Sequence, residues 1–226
     1  MRKSIILLMF FLPVMVMAQG NIEYRMEIGA GAGLVAYEGD YNGSILKGQQ
    51  PMASVILRRL INPYHGFKLG LGVGKLKGSS KNVETYYPGT AETPYEFSNT
   101  MADLNAVYEY NFWPYGTGTD YRGAKRLTPF VFGGLGATFV KTSGKNVFTA
   151  NVPVGIGVKY KIGDRMNLGV EWALHLSLSD KLDGSADPYS IKSSGLFKNT
   201  DCYSALQVTL TYSFLAKCRT CHNEDD

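Results

Sequence analysis

The sequence predicts an all-β protein, an eight-stranded antiparallel up-and-down transmembrane β-barrel. Apolar and non-apolar residues alternate in segment after segment, which is typical of strands that present two different faces. Glycine is abundant, with 26 residues in 226, while proline is sparse inside the apolar segments. After the N-terminal apolar run, no stretch reaches the ~20 apolar residues that a membrane-spanning helix needs.

The N-terminus has the pattern of a secretory signal peptide. Arg2 and Lys3 precede an apolar run over 5–17, and the small residue Ala18 follows it. We therefore expect cleavage after Ala18, with 1–18 removed on export. Export without transmembrane helices leaves two classes, a soluble β-protein and a membrane barrel.

The mature chain has the length of one domain, which we divide into a barrel at 19–215 and a Cys-containing tail at 216–226. Loss of the two cations of the signal peptide lowers the formal net charge from +4 to +2. The remaining cations are scattered among acidic residues, so nucleic acid is not an expected partner.

Eight segments are assigned as strands. Five alternate clearly, and the fourth is accepted because Leu104, Ala106 and Tyr108 still alternate with Asn105. The second and fifth are assigned from their positions between the others. The predicted segments are, in order, 24–36, 50–61, 67–74, 96–112, 127–140, 152–162, 167–178 and 204–214.

Rows of glycine decide which face of these strands points inward. A soluble lipocalin-like barrel would direct its apolar face inward and expose rows such as Gly29, Gly31 and Gly33 to water, which weakens strands without a gain in packing. A narrow membrane barrel instead needs small residues and paired charges inside. The apolar face is therefore predicted to contact outer-membrane lipids.

The connections agree with this orientation. With the mature N-terminus in the periplasm, long outer loops alternate with mostly short inner turns, the asymmetry expected of outer-membrane barrels. The predicted outer loops are 38–49, 77–95, 141–148 and 179–202, and the inner ones are 62–66, 113–126 and 163–165. The C-terminal tail is then also periplasmic.

Charged residues on the inner face predict a polar network in the lumen. Its members are Arg25, Glu27, Arg58, Lys68, Asp103, Glu109, Glu171 and His175, with Arg25, Arg58, Lys68 and Lys159 as the candidate partners of Glu171. Aromatic residues near the inner ends of the strands predict a girdle at the membrane interface. These are Phe112, Trp113, Tyr115, Tyr160, Tyr212 and Phe214.

An enzyme is the alternative from another class. His175 and Ser177 resemble the His-x-Ser pair of outer-membrane lipid A deacylases, and Glu171 lies on the same face. The alternation, however, directs all three side chains into the lumen, away from lipid acyl chains. We therefore expect a structural polar network and no enzymatic activity.

Several motifs resemble the PorG-like outer-membrane barrel family, which is associated with type IX secretion. They are YEGDYN at 37–42, EYNFWPY at 109–115, TPF at 128–130, EW at 171–172 and SDKLD at 179–183. The resemblance covers nearly the whole mature chain and implies a barrel that contacts the periplasmic ring of PorK and PorN. It implies a role in anchoring or assembling a protein-export machine, without chemistry.

Two segments are candidates for binding such a partner. The inner loop 117–126 carries Tyr121, Arg122, Lys125 and Arg126, which suit a docking surface.

The tail contains Cys218, Cys221 and His222 in the CxxCH pattern of haem attachment. A tail this short and polar offers neither a second haem ligand nor an apolar pocket, so we expect no cofactor. A disulfide or redox-sensitive partner contact, a metal site shared with a partner, and a tail whose two cysteines simply oxidise to each other all remain open.

No metal site is expected in the outer loops. Their aspartates do not match the spacing of a calcium loop, and loop aspartates commonly form turns. These are Asp40, Asp180, Asp183, Asp187 and Asp201.

Overall fold

The computed structural model describes residues 22–38, 48–79, 96–116, 125–142, 146–178 and 202–216. These residues form eight β-strands. The strands are β1 (Tyr24–Glu38), β2 (Gln50–Leu60), β3 (His65–Ser79), β4 (Glu96–Asn111), β5 (Leu127–Lys141), β6 (Val147–Lys161), β7 (Met166–Ser177) and β8 (Cys202–Ala216). The described residues contain no helix long and apolar enough to cross a membrane.

The strands close into a ring in sequence order. Every neighbouring pair is antiparallel, and β1 pairs with both β2 and β8. Gly31, for example, lies opposite Ser54 on one side and Thr209 on the other. The predicted fold class, an eight-stranded up-and-down barrel, is confirmed.

Alternation along each strand separates an apolar outer face from a tightly packed lumen. In β3, Leu69 and Leu71 are 40% and 51% exposed, whereas the intervening Gly70 and the preceding Lys68 are buried. Because an apolar surface that surrounds the whole barrel would drive association in water, this face suits lipid.

Connections of different length define two ends of the barrel. At the end that we call the turn end, β1 begins, β8 ends, and the strands are joined through 61–64, 112–126 and 162–165. Asn62 closes the first of these turns, because its side-chain oxygen accepts hydrogen bonds from the backbone of Tyr64 and His65. The opposite end, which we call the loop end, carries the connections 39–49, 80–95, 142–146 and 178–201.

Aromatic side chains surround the outside of the barrel near the turn end. Of the predicted girdle, Phe112, Trp113, Tyr160 and Tyr212 are exposed, and unpredicted members are Phe67, Tyr108 and Tyr110. The prediction for Tyr115 was wrong. This side chain is only 1% exposed, because the chain after β4 folds inward and directs the ring across the end of the lumen.

Candidate functional site in the barrel lumen

A cluster of buried ion pairs occupies the lumen near the turn end, with Glu109 of β4 at its centre. The Glu109 carboxylate lies 2.5 Å from Nζ of Lys159, 2.8 Å from Nε of Arg58 and 3.7 Å from Nζ of Lys68. Each side chain is at most 4% exposed. A carboxylate without these cations would be costly at this depth.

Two further carboxylates complete this cluster, which we call the ionic layer. Glu27 lies 2.6 Å from Nη1 of Arg58, and Glu171 lies 2.7 Å from Nζ of Lys68. Three cations therefore face three carboxylates, contributed by six different strands. The layer is Glu27, Arg58, Lys68, Glu109, Lys159 and Glu171.

Aromatic rings of β5 pack against the lysines of the ionic layer. Nζ of Lys159 lies 4.2 Å from the ring centre of Phe130, and Nζ of Lys68 lies 4.5 Å from that of Phe132. Glycine makes this possible. A methyl group at Gly157 on β6 would lie 2.6 Å from the Phe130 ring and 2.7 Å from a backbone oxygen.

A second polar cluster surrounds Asp103 nearer to the loop end. Its Oδ1 accepts hydrogen bonds from Asn151 at 2.7 Å, from the Tyr203 hydroxyl at 2.7 Å and from Thr138 at 3.2 Å. His175 stacks on Tyr203 with ring centres 4.4 Å apart, and its Nδ1 lies 3.8 Å from Asp103. The carboxylate is thus held by neutral donors rather than by a lysine or arginine.

A small cavity of about 30 Å³ separates the two clusters. Lys68 and Glu171 line it on one side, and Asp103 and His175 line it on the other. This volume has room for about two water molecules. The cavity provides space for hydration of the polar groups, not for a continuous passage.

Apolar side chains fill the lumen at the loop end and form what we call the apolar plug. Tyr37 and Phe97 meet edge to face with ring centres 5.1 Å apart, beside fully buried Leu76 and Val140. The plug consists of Val35, Tyr37, Leu76, Phe97, Met101, Val140 and Tyr203. It closes one end of the barrel interior.

Tyr115 covers the other end of the lumen, above the ionic layer. Its backbone donates a hydrogen bond to Pro63 at 3.0 Å, and Gly116 then takes a positive φ of 86° that suits glycine. The ring lies 5.6 Å from Nζ of Lys159. Burial raises the pKa of the Tyr115 phenol, which keeps it neutral.

Seven of the eight side chains predicted for the lumenal network lie buried in the lumen, and the exception is Arg25. It is exposed at the turn end, two residues before Glu27, which is the last covered inward position of β1, so its assignment to the network was wrong. Glu171 contacts Lys68 among its candidate partners, whereas Lys159 pairs with Glu109. Asn151 and Tyr203 were missed, although extending the alternation of β6 and β8 by one residue would have found them.

The arrangement gives no support to a hydrolytic triad. The two carboxylate oxygens of Glu171 bind Lys68 and Gln207, rather than orienting His175. Ser177 is fully buried in the lumen and shares a hydrogen bond of 3.3 Å with Thr149. All three inward side chains lie on the opposite side of the barrel wall from the acyl chains of a surrounding lipid.

The residues predicted to bind a partner are only partly covered by the structure. Lys125 and Arg126 are exposed at the turn end, with Nζ of Lys125 4.5 Å from the ring centre of Trp113. The remaining candidates lie outside the described residues, as do the signal peptide and the loop aspartates. The candidates are Tyr121, Arg122, Cys218, Cys221 and His222.

The ring of eight strands, apolar outside and filled inside, defines the class of small outer-membrane β-barrels. The chain belongs to the family described as "Domain of unknown function (DUF6089)", whose model matches residues 2–223. A comparison with curated proteins found no match.

Solved structures of outer-membrane barrels are similar to this chain. Neisserial surface protein A (NspA) is 13% identical with a TM-score of 0.50, and the match covers 84% of this chain and 97% of that one. OprG from Pseudomonas aeruginosa is 10% identical with a TM-score of 0.47, covering 88% and 99%. Ail from Yersinia pestis is 10% identical with a TM-score of 0.46, covering 86% and 99%. The similarity to NspA is a similarity of fold.

Proposed function

We propose that the protein is a non-enzymatic outer-membrane barrel that anchors or helps to assemble the periplasmic ring of a type IX protein secretion machine. The filled lumen supports the part of this proposal that excludes a pore, and the resemblance of the motifs at 37–42 and 109–115 to the PorG-like family supports the ring-anchoring part. Tyr115, the ionic layer, the Asp103 cluster and the apolar plug follow one another from the turn end to the loop end. Such a barrel offers surfaces to partners and does not form a diffusion pore.

The outer face supports residence in the outer membrane. Apolar side chains on different strands around the barrel are exposed, such as Ile28, Leu71 and Leu135, and aromatic rings border this face at the turn end. The same aromatic border fits a membrane interface, where rings lie at the level of the lipid headgroups.

The turn end is the surface that we assign to ring proteins of the PorK and PorN type. Lys125 and Arg126 are exposed there with Trp113, and arginine and tryptophan are residue types enriched at protein interfaces. Because β8 ends at Ala216, the first residue of the predicted tail 216–226, the tail continues from this end as well. In this proposal the turn end faces the periplasm.

Photo-crosslinking from the two ends tests the assignment. A photo-reactive amino acid at Lys125 is expected to capture a periplasmic ring protein in intact cells. The matched control replaces Lys77, an exposed lysine on β3 at the loop end, and is expected to capture none. Capture of no ring protein from Lys125, or equal capture from both positions, would contradict the proposal.

The tail has a separate test. Replacing Cys218 and Cys221 by serine is expected to leave a heat-modifiable barrel in the outer membrane but to weaken recovery of the ring protein. Unchanged recovery after deletion of 216–226 would exclude the tail as a docking element, while capture at Lys125 would still stand.

A further inference from the structure

Two arginines lie on the outside of the barrel near the turn end, on either side of the seam between β1 and β8. Arg59 on β2 is exposed and lies opposite Met26 of β1 and Phe67 of β3, which are also outward residues. Arg165 is exposed in the turn between β6 and β7, and β7 pairs with β8. Both cations therefore lie at the level of the aromatic girdle.

Arg165 is held in place by two tyrosines of the seam. Its Nη1 donates to the Tyr212 hydroxyl at 3.0 Å and its Nε donates to the Tyr24 hydroxyl at 3.3 Å. The guanidinium carbon also lies 5.1 Å from the ring centre of Tyr24. A guanidinium group has five N–H donors, so most of them are still available after these two bonds.

Neither arginine forms a salt bridge with a described residue, although Asp164 precedes Arg165 in the same turn. Among the described residues, no carboxylate lies within 4 Å of Arg59 or Arg165, in contrast to the paired cations of the ionic layer. A guanidinium group oriented at an aromatic belt meets lipid phosphates, and its planar donors match a phosphate in a bidentate manner.

We propose that Arg165, oriented by Tyr24 and Tyr212, forms a binding site for the phosphate of an anionic phospholipid headgroup, to which Arg59 adds positive potential. The two arginines are about three strand spacings apart, roughly 14 Å, so Arg165 is the direct phosphate contact. Phosphatidylglycerol is the lipid that we assign, because the turn end faces the periplasmic leaflet in the proposed function. The site rests on membrane residence and on the periplasmic orientation of the turn end, which are parts of the proposed function, and not on the docking of ring proteins.

Native mass spectrometry of the detergent-purified barrel tests this site. Mixed with equal phosphatidylglycerol and phosphatidylcholine, the wild type is expected to retain phosphatidylglycerol preferentially. Arg165→Gln is expected to weaken that retention about fivefold, as expected for one interfacial cation. The control Lys77→Gln removes the same charge at the loop end and is expected to have no effect.

A second variant and a second lipid allow the proposal to be tested even if Arg165→Gln does not fold. If Arg165→Gln does not fold, the double variant Tyr24→Phe and Tyr212→Phe, which keeps the charge but releases its orientation, is expected to lower retention. Equal retention of both lipids, or equal losses for Arg165→Gln and Lys77→Gln, would overturn the proposal. A dependence on Arg165 for lipid A but not for phosphatidylglycerol would also overturn it. Absence of a heat-modifiable folded form would instead count against the barrel function itself.

Discussion

The two halves of the lumen are filled by different means. Near the turn end, six ionised side chains neutralise one another, and aromatic rings cover the lysines. Near the loop end, the apolar plug fills the same width mainly with hydrocarbon side chains and aromatic rings, of which Tyr203 also donates to Asp103. The stability of the charged half therefore depends on the presence of every charged partner, whereas that of the apolar half depends on how completely its side chains fill the space.

The largest expected effect comes from removing the central carboxylate of the charged half. Glu109→Gln keeps the shape but leaves Arg58, Lys68 and Lys159 facing only two carboxylates, so we expect a loss of about 3–5 kcal/mol in the free energy of unfolding. Urea unfolding of the barrel in lipid vesicles measures it.

A charge-balanced variant sharpens this prediction. Adding Lys159→Met to Glu109→Gln leaves two cations and two carboxylates, and we expect the double variant to be more stable than Glu109→Gln alone. Additive losses from the two changes would contradict the coupling between these residues.

Shortening a side chain of the apolar half should lower the free energy of unfolding slightly less than Glu109→Gln does. The loss should depend only on the volume that is removed. Leu76→Ala empties part of the plug, and we expect a loss of about 2–4 kcal/mol. The control Leu71→Ala lies on the outer face of the same strand, where lipid can fill the space, so its effect should be smaller. Equal losses in the same unfolding assay would mean that Leu76 is not enclosed.

Disturbing the close packing of Gly157 against the Phe130 ring in the charged half should lower the free energy of unfolding by a smaller amount. Gly157→Ala places a methyl group against the Phe130 ring and the backbone, and we expect a loss of about 1–3 kcal/mol. Gly163→Ala, in the turn between β6 and β7, has no atom within 4 Å of the added methyl group and should be nearly neutral. The reverse order in the unfolding assay would contradict the packing described for β5 and β6.

Substitution of the polar residues Ser177 and His175 should not change the chemistry of lipid A, because we expect no enzymatic activity. Ser177→Ala and His175→Ala are expected to leave the acylation pattern of lipid A unchanged in mass spectra of membrane extracts. A mass increase that corresponds to one retained acyl chain in either variant would restore the hydrolase alternative.

The charged half was the more predictable one. A residue such as Glu109 or Lys68 within an alternating apolar segment has no place on a lipid face, so its inward direction follows from parity. Which cation meets which carboxylate did not follow, because partners such as Lys68 and Glu171 are far apart in sequence and depend on the register around the ring.

Apolar residues of the lumen could not be recognised in the same way. Leu76 of the plug, and Ile56 and Phe132 nearer to the ionic layer, have the chemistry of lipid-facing residues, so alternation is lost where both faces of a strand are apolar. This explains why β2 and β5 had to be placed by position. Tyr115 was misplaced for a related reason, since an aromatic residue near a strand end suits both a girdle and a plug.

Conductance in a planar lipid bilayer tests most directly the claim that the lumen is closed at both ends. Purified, heat-modifiable protein reconstituted at low density is expected to give no stable steps of ionic current above the leak of the bilayer. Reproducible steps of constant conductance would contradict the closed lumen and the anchoring role that depends on it.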